Sequence, residues 1–172
     1  MFIGLSNLSV LSMYEIISFL SHMWLPEVKT SAPFNKKSSH ISGVTPEICD
    51  QFLLNGADVL TSGNHIWDKK EIISYINETN KLLRPMNMVE GTPGLGMTII
   101  DTSVGKIGVA NVMTNLFMPK SNPVFEVLNK IKLKFNSNEN LCFSLVDVHG
   151  EATSEKLAIG HLLDGHVSAV VG

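Results

Sequence analysis

This sequence has few cysteines and a small net charge. Its 172 residues include two cysteines, Cys49 and Cys142, which lie far apart and form no CxxC pair. This scarcity excludes a disulfide-stabilised scaffold and a zinc knuckle, and it predicts a protein of the reducing cytoplasm. The formal net charge of −3 gives no general attraction to DNA or to an anionic membrane, so neither is expected as a partner.

Lysine and arginine are missing from the first part of the chain, where the first of either is Lys29. A secretory signal peptide needs basic residues near its start, so such a segment is not expected. Residues 1–26 are mostly apolar, but scattered polar residues interrupt the run of about twenty apolar residues that a membrane helix requires. We predict a strand at Met1–Leu5 and a helix at Ser9–Met23 of a soluble domain. A weak membrane anchor within residues 1–25 is the alternative.

The pattern of the remaining chain is that of one α/β domain over residues 1–172, and the hydrophobic content of 44% is enough for a buried core. Thr45 is suited to cap a helix that starts at Pro46 and ends at Asn55-Gly56. Asp68 and Glu71 have the spacing of a capping box, which predicts a helix at Lys69–Asn77. Further strands are predicted at residues 57–61, 97–101, 106–113, 141–147 and 166–171, and further helices at 125–134 and 153–163.

Histidines stand just after two of the predicted strands. Asn64 and His65 follow the strand at residues 57–61, and His149 follows the strand at residues 141–147. Ligand sites in open α/β sheets lie at the carboxyl ends of strands. An amide oxygen beside imidazoles suits a divalent metal together with a proton donor, which is the chemistry of phosphoester hydrolysis. The plainer interpretation is that each histidine only forms a hydrogen bond in a turn, but two equivalent placements favour a functional site.

Several longer strings resemble one family. They are G-V-T-P-E-I-C, D-V-L-T-S-G-N-H-I-W-D-K-K-E-I, L-L-R-P-x-N, E-G-T-P-G-x-G, D-V-H-G-E-A-T-S-E-K-L-A-I-G and D-G-H-V-S-A-V-V-G, between Gly43 and Gly172. On these motifs the chain resembles the YmdB-like bacterial calcineurin-like metallophosphoesterases. The resemblance implies a metallophosphoesterase-type β-sandwich flanked by helices. It also implies hydrolysis of cyclic nucleotides or other small phosphodiesters at a centre of two metal ions.

The resemblance further implies roles for three residues of this sequence. Asn64 would bind metal through its side-chain oxygen, and His149 would bind metal through an imidazole nitrogen. His65 would protonate the leaving alkoxide. The metals would be iron or manganese, which polarise the phosphoryl group and supply a hydroxide nucleophile. No other cofactor is implied.

Other positions depart from the family pattern. Leu5 stands where the family has a metal-binding aspartate, and Lys36 and Lys37 stand where its bridging glutamate is expected. The family continues after V-V-G with T-H-T-H, which supplies two more histidine ligands, whereas this sequence ends at Gly172. The domain is therefore expected to be incomplete at its C-terminus. With two metal ligands remaining, we expect weak or absent catalysis.

Three other hypotheses remain open. The first is a non-catalytic nucleotide- or phosphate-binding remnant in which Lys36 and Lys37 replace the charge of the metal. The second is a membrane-tethered fragment that uses residues 1–25. The third is a homo-oligomer whose subunits together complete a working site.

Overall fold

The computed structural model describes residues 43–102 and 105–172. The strand and helix predicted before residue 27, and the departures at Leu5, Lys36 and Lys37, lie outside the described residues. Within them the α-helices are Pro46–Leu54 (α1), Ile72–Glu78 (α2), Val124–Asn136 (α3) and Thr153–Leu163 (α4), with a 3-10 helix at Asn64–Trp67. The strands are Leu60–Thr61 (β1), Leu82–Leu83 (β2), Met97–Thr102 (β3), Gly105–Met113 (β4), Leu141–His149 (β5) and Ala169–Val171 (β6).

The strands form two sheets within the described residues. The larger sheet has the order β3-β4-β5-β6, while β1 and β2 form a separate parallel pair. β3 and β4 are antiparallel, and β4, β5 and β6 run parallel to one another. The mixed α/β class is confirmed. Because Met113 is the register partner of His149, the carboxyl ends of β4 and β5 meet at the same edge.

Two apolar clusters hold these elements together. In the larger cluster, residues of α3 at helical spacing and residues of α4 pack against the buried faces of β4 and β5; its core members are Ala110, Val112, Val124, Val127, Leu128, Ile131, Phe135, Val146, Val148, Ile159 and Leu163. The smaller cluster contains Cys49, Ile66, Ile72, Ile76 and Leu82. Ile66 belongs to the 3-10 helix, so its burial fixes the short segment that carries Asn64 and His65.

Some strand boundaries differ from those predicted. β1 is two residues long and β6 is three, each shorter than its apolar pattern suggested. β5 instead continues to His149, because β4 pairs with it along its whole length, so His149 is the last residue of a strand and not part of the following loop. Burial alternates along the end of β5, where Ser144, Val146 and Val148 are buried. One face of this part of β5 is therefore buried, and the other face, which carries Asp147 and His149, is half-buried.

The expectations about the cysteines and about a membrane anchor can also be compared with the structure. Both cysteines are free, with Cys49 buried and Cys142 exposed, which agrees with the absence of a disulfide scaffold. Within the described ranges, no helix has the length and apolar character needed to cross a membrane. Residues 1–25, where an anchor was considered, lie outside those ranges.

Candidate functional site

Asn64 and His149 are in direct contact at the carboxyl edge of the sheets. Nε2 of His149 lies 2.7 Å from Oδ1 of Asn64, although the two residues are 85 positions apart in the sequence. An amide oxygen can only accept a hydrogen bond, so the imidazole donates from Nε2, and the neutral ring carries its proton there. The structure thus brings together the two residues that the sequence nominated as metal ligands.

Gly63 makes this contact possible. A Cβ atom at Gly63 would overlap the His149 ring, most closely at Cε1 and Nε2. The backbone of Gly63 has φ −112°, which other residues adopt easily, so glycine is required for space and not for its conformation. The imidazole therefore packs directly on the backbone that leads into Asn64.

His65 is held by a different neighbour. Its Nδ1 lies 2.8 Å from Oδ2 of Asp68, and the ring is largely exposed. A carboxylate accepts the hydrogen bond from Nδ1–H, which leaves Nε2 as the ring nitrogen that Asp68 does not engage. The predicted capping box is wrong, since α2 begins at Ile72 after an N-cap residue, Glu71, that makes no side-chain capping bond. The 3-10 helix displaces the start of α2 and turns the carboxylate of Asp68 towards His65 instead.

The surroundings of His149 favour its neutral form. Burial is the largest influence and lowers the pKa of the imidazole. The carboxylates of Asp147 and Glu151 raise that pKa, and positive charge on His65 and Lys156 lowers it further. The net result is a pKa below the usual value for histidine. Because a metal binds the unprotonated nitrogen of an imidazole, this environment suits a metal ligand.

Asp147 lies two residues before His149 on β5, and its carboxyl group is shifted in the opposite sense. Burial raises its pKa, against the effects of a hydrogen bond from Thr61 and of the charges on His149 and Lys156. The ionised form is therefore disfavoured in the folded protein. This cost to folding is present at neutral pH and disappears as the pH falls through the raised pKa and then below the unfolded value.

We expect Asp147→Asn to stabilise the protein at about pH 7.5, on the order of 1 kcal/mol. The amide keeps an acceptor for the Thr61 hydroxyl but removes the charge that desolvation disfavours. The gain should shrink as the pH is lowered towards about 4, because the wild-type carboxyl group then takes up its proton. Urea unfolding at both pH values measures this, with exposed Asp58→Asn as the control. A stability at neutral pH equal to that of the wild type would contradict the expectation.

The donor set fits part of a metal site. Metal–ligand bonds of about 2.1 Å at right angles place two donor atoms about 3 Å apart. Nε2 of His149 and Oδ1 of Asn64 are 2.7 Å apart, so both could bind one ion with little movement once the Nε2 proton has left. In residues 43–102 and 105–172, no group of three or more His, Cys, Asp or Glu side chains is placed to hold a metal. The pair therefore fits as two ligands of a site that needs additional donors.

Two buried polar residues near the site were missed by the sequence reasoning. Asn111 of β4 is fully buried, and its side-chain amide donates to the carbonyl oxygen of Ser62. Thr114, directly after β4, is also fully buried, and its N–H donates to the carbonyl oxygen of His149 at 2.9 Å. A polar residue inside the apolar string V-A-N-V-M is a signal that could have found Asn111. The end of a strand gave no comparable signal for Thr114.

The loop after β4 is held at the same edge by α4. The carboxylate of Glu155 accepts hydrogen bonds from the backbone N–H groups of Asn115, at 3.1 Å, and Leu116, at 3.0 Å. The next residue, Phe117, has φ 63° and is 80% exposed. A non-glycine residue with positive φ is uncommon and needs support from its surroundings. Glu155 holds the two residues that precede Phe117, and it ties the loop to the helix that follows His149.

A family model and a curated relative match this chain. The model of the YmdB-like protein family matches residues 34–172. The 2′,3′-cyclic-nucleotide 2′-phosphodiesterase of Bacillus subtilis (strain 168) is 39% identical over 137 residues, which are 80% of this chain and 51% of that protein. The chain therefore spans about half the length of this relative.

Solved structures share the fold, and they also extend beyond the matched region. A hypothetical protein from Thermus thermophilus superimposes with a TM-score of 0.67 at 34% identity, over 75% of this chain and 49% of that one. A phosphatase from Mycoplasma pneumoniae superimposes with a TM-score of 0.62 at 27% identity, over 73% of this chain and 45% of that one. The described residues thus have the phosphatase-type α/β fold that the motifs implied. The match over residues 34–172, with 39% identity to the Bacillus protein, shows that this chain belongs to the YmdB-like family.

Proposed function

We propose that this chain carries part of the active site of a metal-dependent phosphodiester hydrolase that acts on a cyclic nucleotide or a similar small phosphodiester. The observation that carries the proposal is the 2.7 Å contact between Asn64 and His149, with His65 as the neighbouring residue. The Bacillus relative is named for hydrolysis of 2′,3′-cyclic nucleotides, which is the same class of reaction. Such a reaction needs charge neutralisation at the phosphoryl group and a proton for the leaving oxygen.

Asn64 and His149 would hold the metal. When bound, a divalent ion polarises the phosphoryl group and activates a water molecule, and iron or manganese suits these nitrogen and oxygen donors. The lowered pKa of His149 keeps its ring neutral, so Nε2 can bind a metal once its proton has shifted to Nδ1. The amide of Asn64 is neutral at every pH, so its availability does not depend on a proton.

His65 would supply the proton to the leaving oxygen. The ring is 67% exposed, so a substrate at the edge of the sheet can reach it. Asp68 accepts a hydrogen bond from Nδ1, so the proton available for transfer is the one on Nε2. After the transfer the neutral ring still donates from Nδ1 to Asp68, which keeps its orientation for the next cycle.

We further propose that this chain alone is a weak catalyst. A two-metal centre holds its ions about 3.5–4 Å apart and needs several donors, some of them anionic. Asn64 and His149 contribute two neutral donors. Asp147, the carboxylate nearest to His149 on β5, is disfavoured as an ion by burial. Binding of two dications by this set is therefore expected to be weak.

Substitution of either histidine is expected to remove metal-dependent turnover. His65→Ala should lower the rate of hydrolysis of a 2′,3′-cyclic nucleotide by about 10²–10⁴-fold, the usual contribution of a general acid, because the sugar alkoxide that leaves needs a proton. His149→Ala should reduce it to background, because one of the two nominated ligands is lost. The rate is measured with added manganese or ferrous iron. His161→Ala is the matched control, since His161 is an exposed histidine of α4, and it should keep the wild-type rate.

The outcomes separate the competing functions. Turnover that survives both His65→Ala and His149→Ala would contradict the proposed site. Absence of turnover in a folded wild-type protein that still binds a nucleotide without metal would favour the phosphate-binding alternative. In that case Lys36→Ala should weaken the nucleotide, because an ammonium group can bind phosphate directly.

We also propose a cytoplasmic location and a small phosphodiester as the partner, without DNA. Free thiols at Cys49 and Cys142 support the first point, since a reducing compartment keeps them unpaired. The net charge of −3 supports the second, because binding to nucleic acid depends largely on neutralising phosphates with basic residues.

A further inference from the structure

Asn111 connects the two sheets directly beneath the candidate site. Its side-chain amide donates to the carbonyl oxygen of Ser62 and also, at 3.3 Å, to the carbonyl oxygen of Leu83. Ser62 follows β1 and Leu83 ends β2, whereas Asn111 belongs to β4 of the larger sheet. One fully buried side chain therefore fixes the end of the small sheet against the larger one.

Ser62 is held on two sides at this junction. Its backbone N–H and its hydroxyl group both donate to the carbonyl oxygen of Leu83, at 2.9 Å and 2.7 Å. Its own carbonyl oxygen accepts from Asn111. The next two residues are Gly63, on which the ring of His149 packs, and Asn64, which accepts from that ring. The position of Ser62 thus determines where the backbone of Gly63 and Asn64 begins.

His149, the second residue of the proposed metal site, is connected to Asn111 through the pairing of β5 with β4. Asn111 is the register partner of Asp147 on β5, two residues before His149. Its backbone N–H donates to the carbonyl oxygen of Gly96 at 2.9 Å and its carbonyl oxygen accepts from Met86 at 2.8 Å, so the residue is also bonded to the segment between β2 and β3. Asn111 therefore stands between the strand that carries His149 and the turn that carries Asn64.

The buried amide of Asn111 carries a free-energy cost, and packing alone does not explain why the residue is an asparagine. The side-chain oxygen of Asn111 is buried and has no hydrogen-bond partner among the described residues. A buried acceptor without a partner is unfavourable, and an apolar residue of similar size would avoid this cost. The bond to Ser62 is the feature that such a residue would lose.

We propose that Asn111 is a positioning residue that sets the spacing between Asn64 and His149. This inference rests on the proposed function for its meaning in catalysis, but the geometry can be tested without turnover. The amide of Asn111 holds the Ser62 carbonyl, and the Ser62–Asn64 segment in turn keeps Oδ1 of Asn64 within hydrogen-bond distance of Nε2 of His149. That spacing is short enough for both donor atoms to bind one ion after the proton on Nε2 has left.

The test compares Asn111→Leu with Asn87→Leu in the full chain without metal. Leucine has the same branched shape as asparagine, with methyl groups in place of the amide atoms, and cannot donate to Ser62. Asn87 is equally buried and donates to the carbonyl oxygens of Met113 and Asn122. Asn87→Leu therefore controls for the removal of a buried, hydrogen-bonded amide elsewhere in the same fold. Long-range proton–nitrogen NMR of the His149 ring is the first measurement, because it shows which nitrogen carries the proton. Calorimetric titration with manganese is the second.

In the wild type and in Asn87→Leu, the proton of the neutral His149 ring should lie on Nε2. In Asn111→Leu the ring should show a mixture of tautomers, and manganese affinity should fall by about tenfold or more, the usual scale for loss of a supporting contact. Wild-type tautomer and wild-type affinity in Asn111→Leu would overturn the proposal. If that variant does not fold, Asn111→Ser is judged by the same two results. Failure of the wild type to bind manganese would count against the proposed metal site, while the tautomer result would still decide the role of Asn111.

Discussion

Gly63→Ala is expected to separate Asn64 from His149 and to destabilise the protein by about 1–3 kcal/mol, the usual cost of forcing a methyl group into a packed site. The added carbon would overlap the ring of His149, with its closest approach at Cε1. The ring cannot bend, so it must rotate away and give up its bond to Oδ1 of Asn64. Binding of manganese and any metal-dependent turnover should fall together, because both nominated ligands are displaced.

A double-mutant cycle identifies the cause. If the clash with the imidazole is responsible, Gly63→Ala should cost little stability in a His149→Ala background, since the ring is then absent. Gly160→Ala is the control, because a Cβ at this position in α4 meets no atom within 4 Å and alanine favours a helix. A full cost of Gly63→Ala in the background that lacks His149 would show that the backbone, and not the ring, is the source.

Arg84→Lys is expected to destabilise the fold by about 2–4 kcal/mol, because the guanidinium group organises the turn-rich segment after β2. It donates to the carbonyl oxygens of Pro85 at 2.8 Å, Pro93 at 3.1 Å and Thr92 at 3.2 Å. These oxygens lie at both ends of the segment, so the planar group spans it as one clamp. A single ammonium group can reach only part of this set, and the remaining carbonyl oxygens lose their partner.

The comparison for Arg84→Lys is Lys106→Met on the β3–β4 hairpin. Lys106 pairs with Asp101 at 2.7 Å, but both side chains are exposed, so this change should cost under about 1 kcal/mol. Chemical unfolding of both variants gives the comparison. Equal costs would mean that the Arg84 hydrogen bonds contribute no more than a surface ion pair. The L-L-R-P motif would then need an explanation other than the stability of this segment.

The helices were largely predictable because their signals are local. The hydroxyl group of Thr45 accepts from the N–H of Ile48 and proline occupies the first turn, as the capping pattern indicated for α1. The apolar pattern of residues 125–134 likewise predicted α3, which extends slightly beyond those residues at both ends. Such signals depend on residues three or four positions apart, and these remain neighbours in any fold that keeps the helix.

The features that were predicted wrongly or missed depend on contacts between residues that are far apart in the sequence. The cap predicted for Asp68 was lost to a 3-10 helix that Ile66 anchors in the smaller cluster. β2 was missed because it is two residues long and exists as a strand only through its parallel pairing with β1. Asn111 was missed because its partner Ser62 lies 49 positions away.

The sequence by itself determined the class of fold, the family motifs and the residue types at the site, because composition, periodicity and capping are properties of neighbouring residues. It nominated Asn64, His65 and His149 from their positions after strands. Only the tertiary structure decided which of these side chains meet. In the folded protein Asn64 contacts His149, and His65 contacts Asp68. The first contact depends on the register of β5 against β4 and on the space left by Gly63. Distances between strands that are far apart in the chain are set by packing of the whole domain, and no local pattern encodes them.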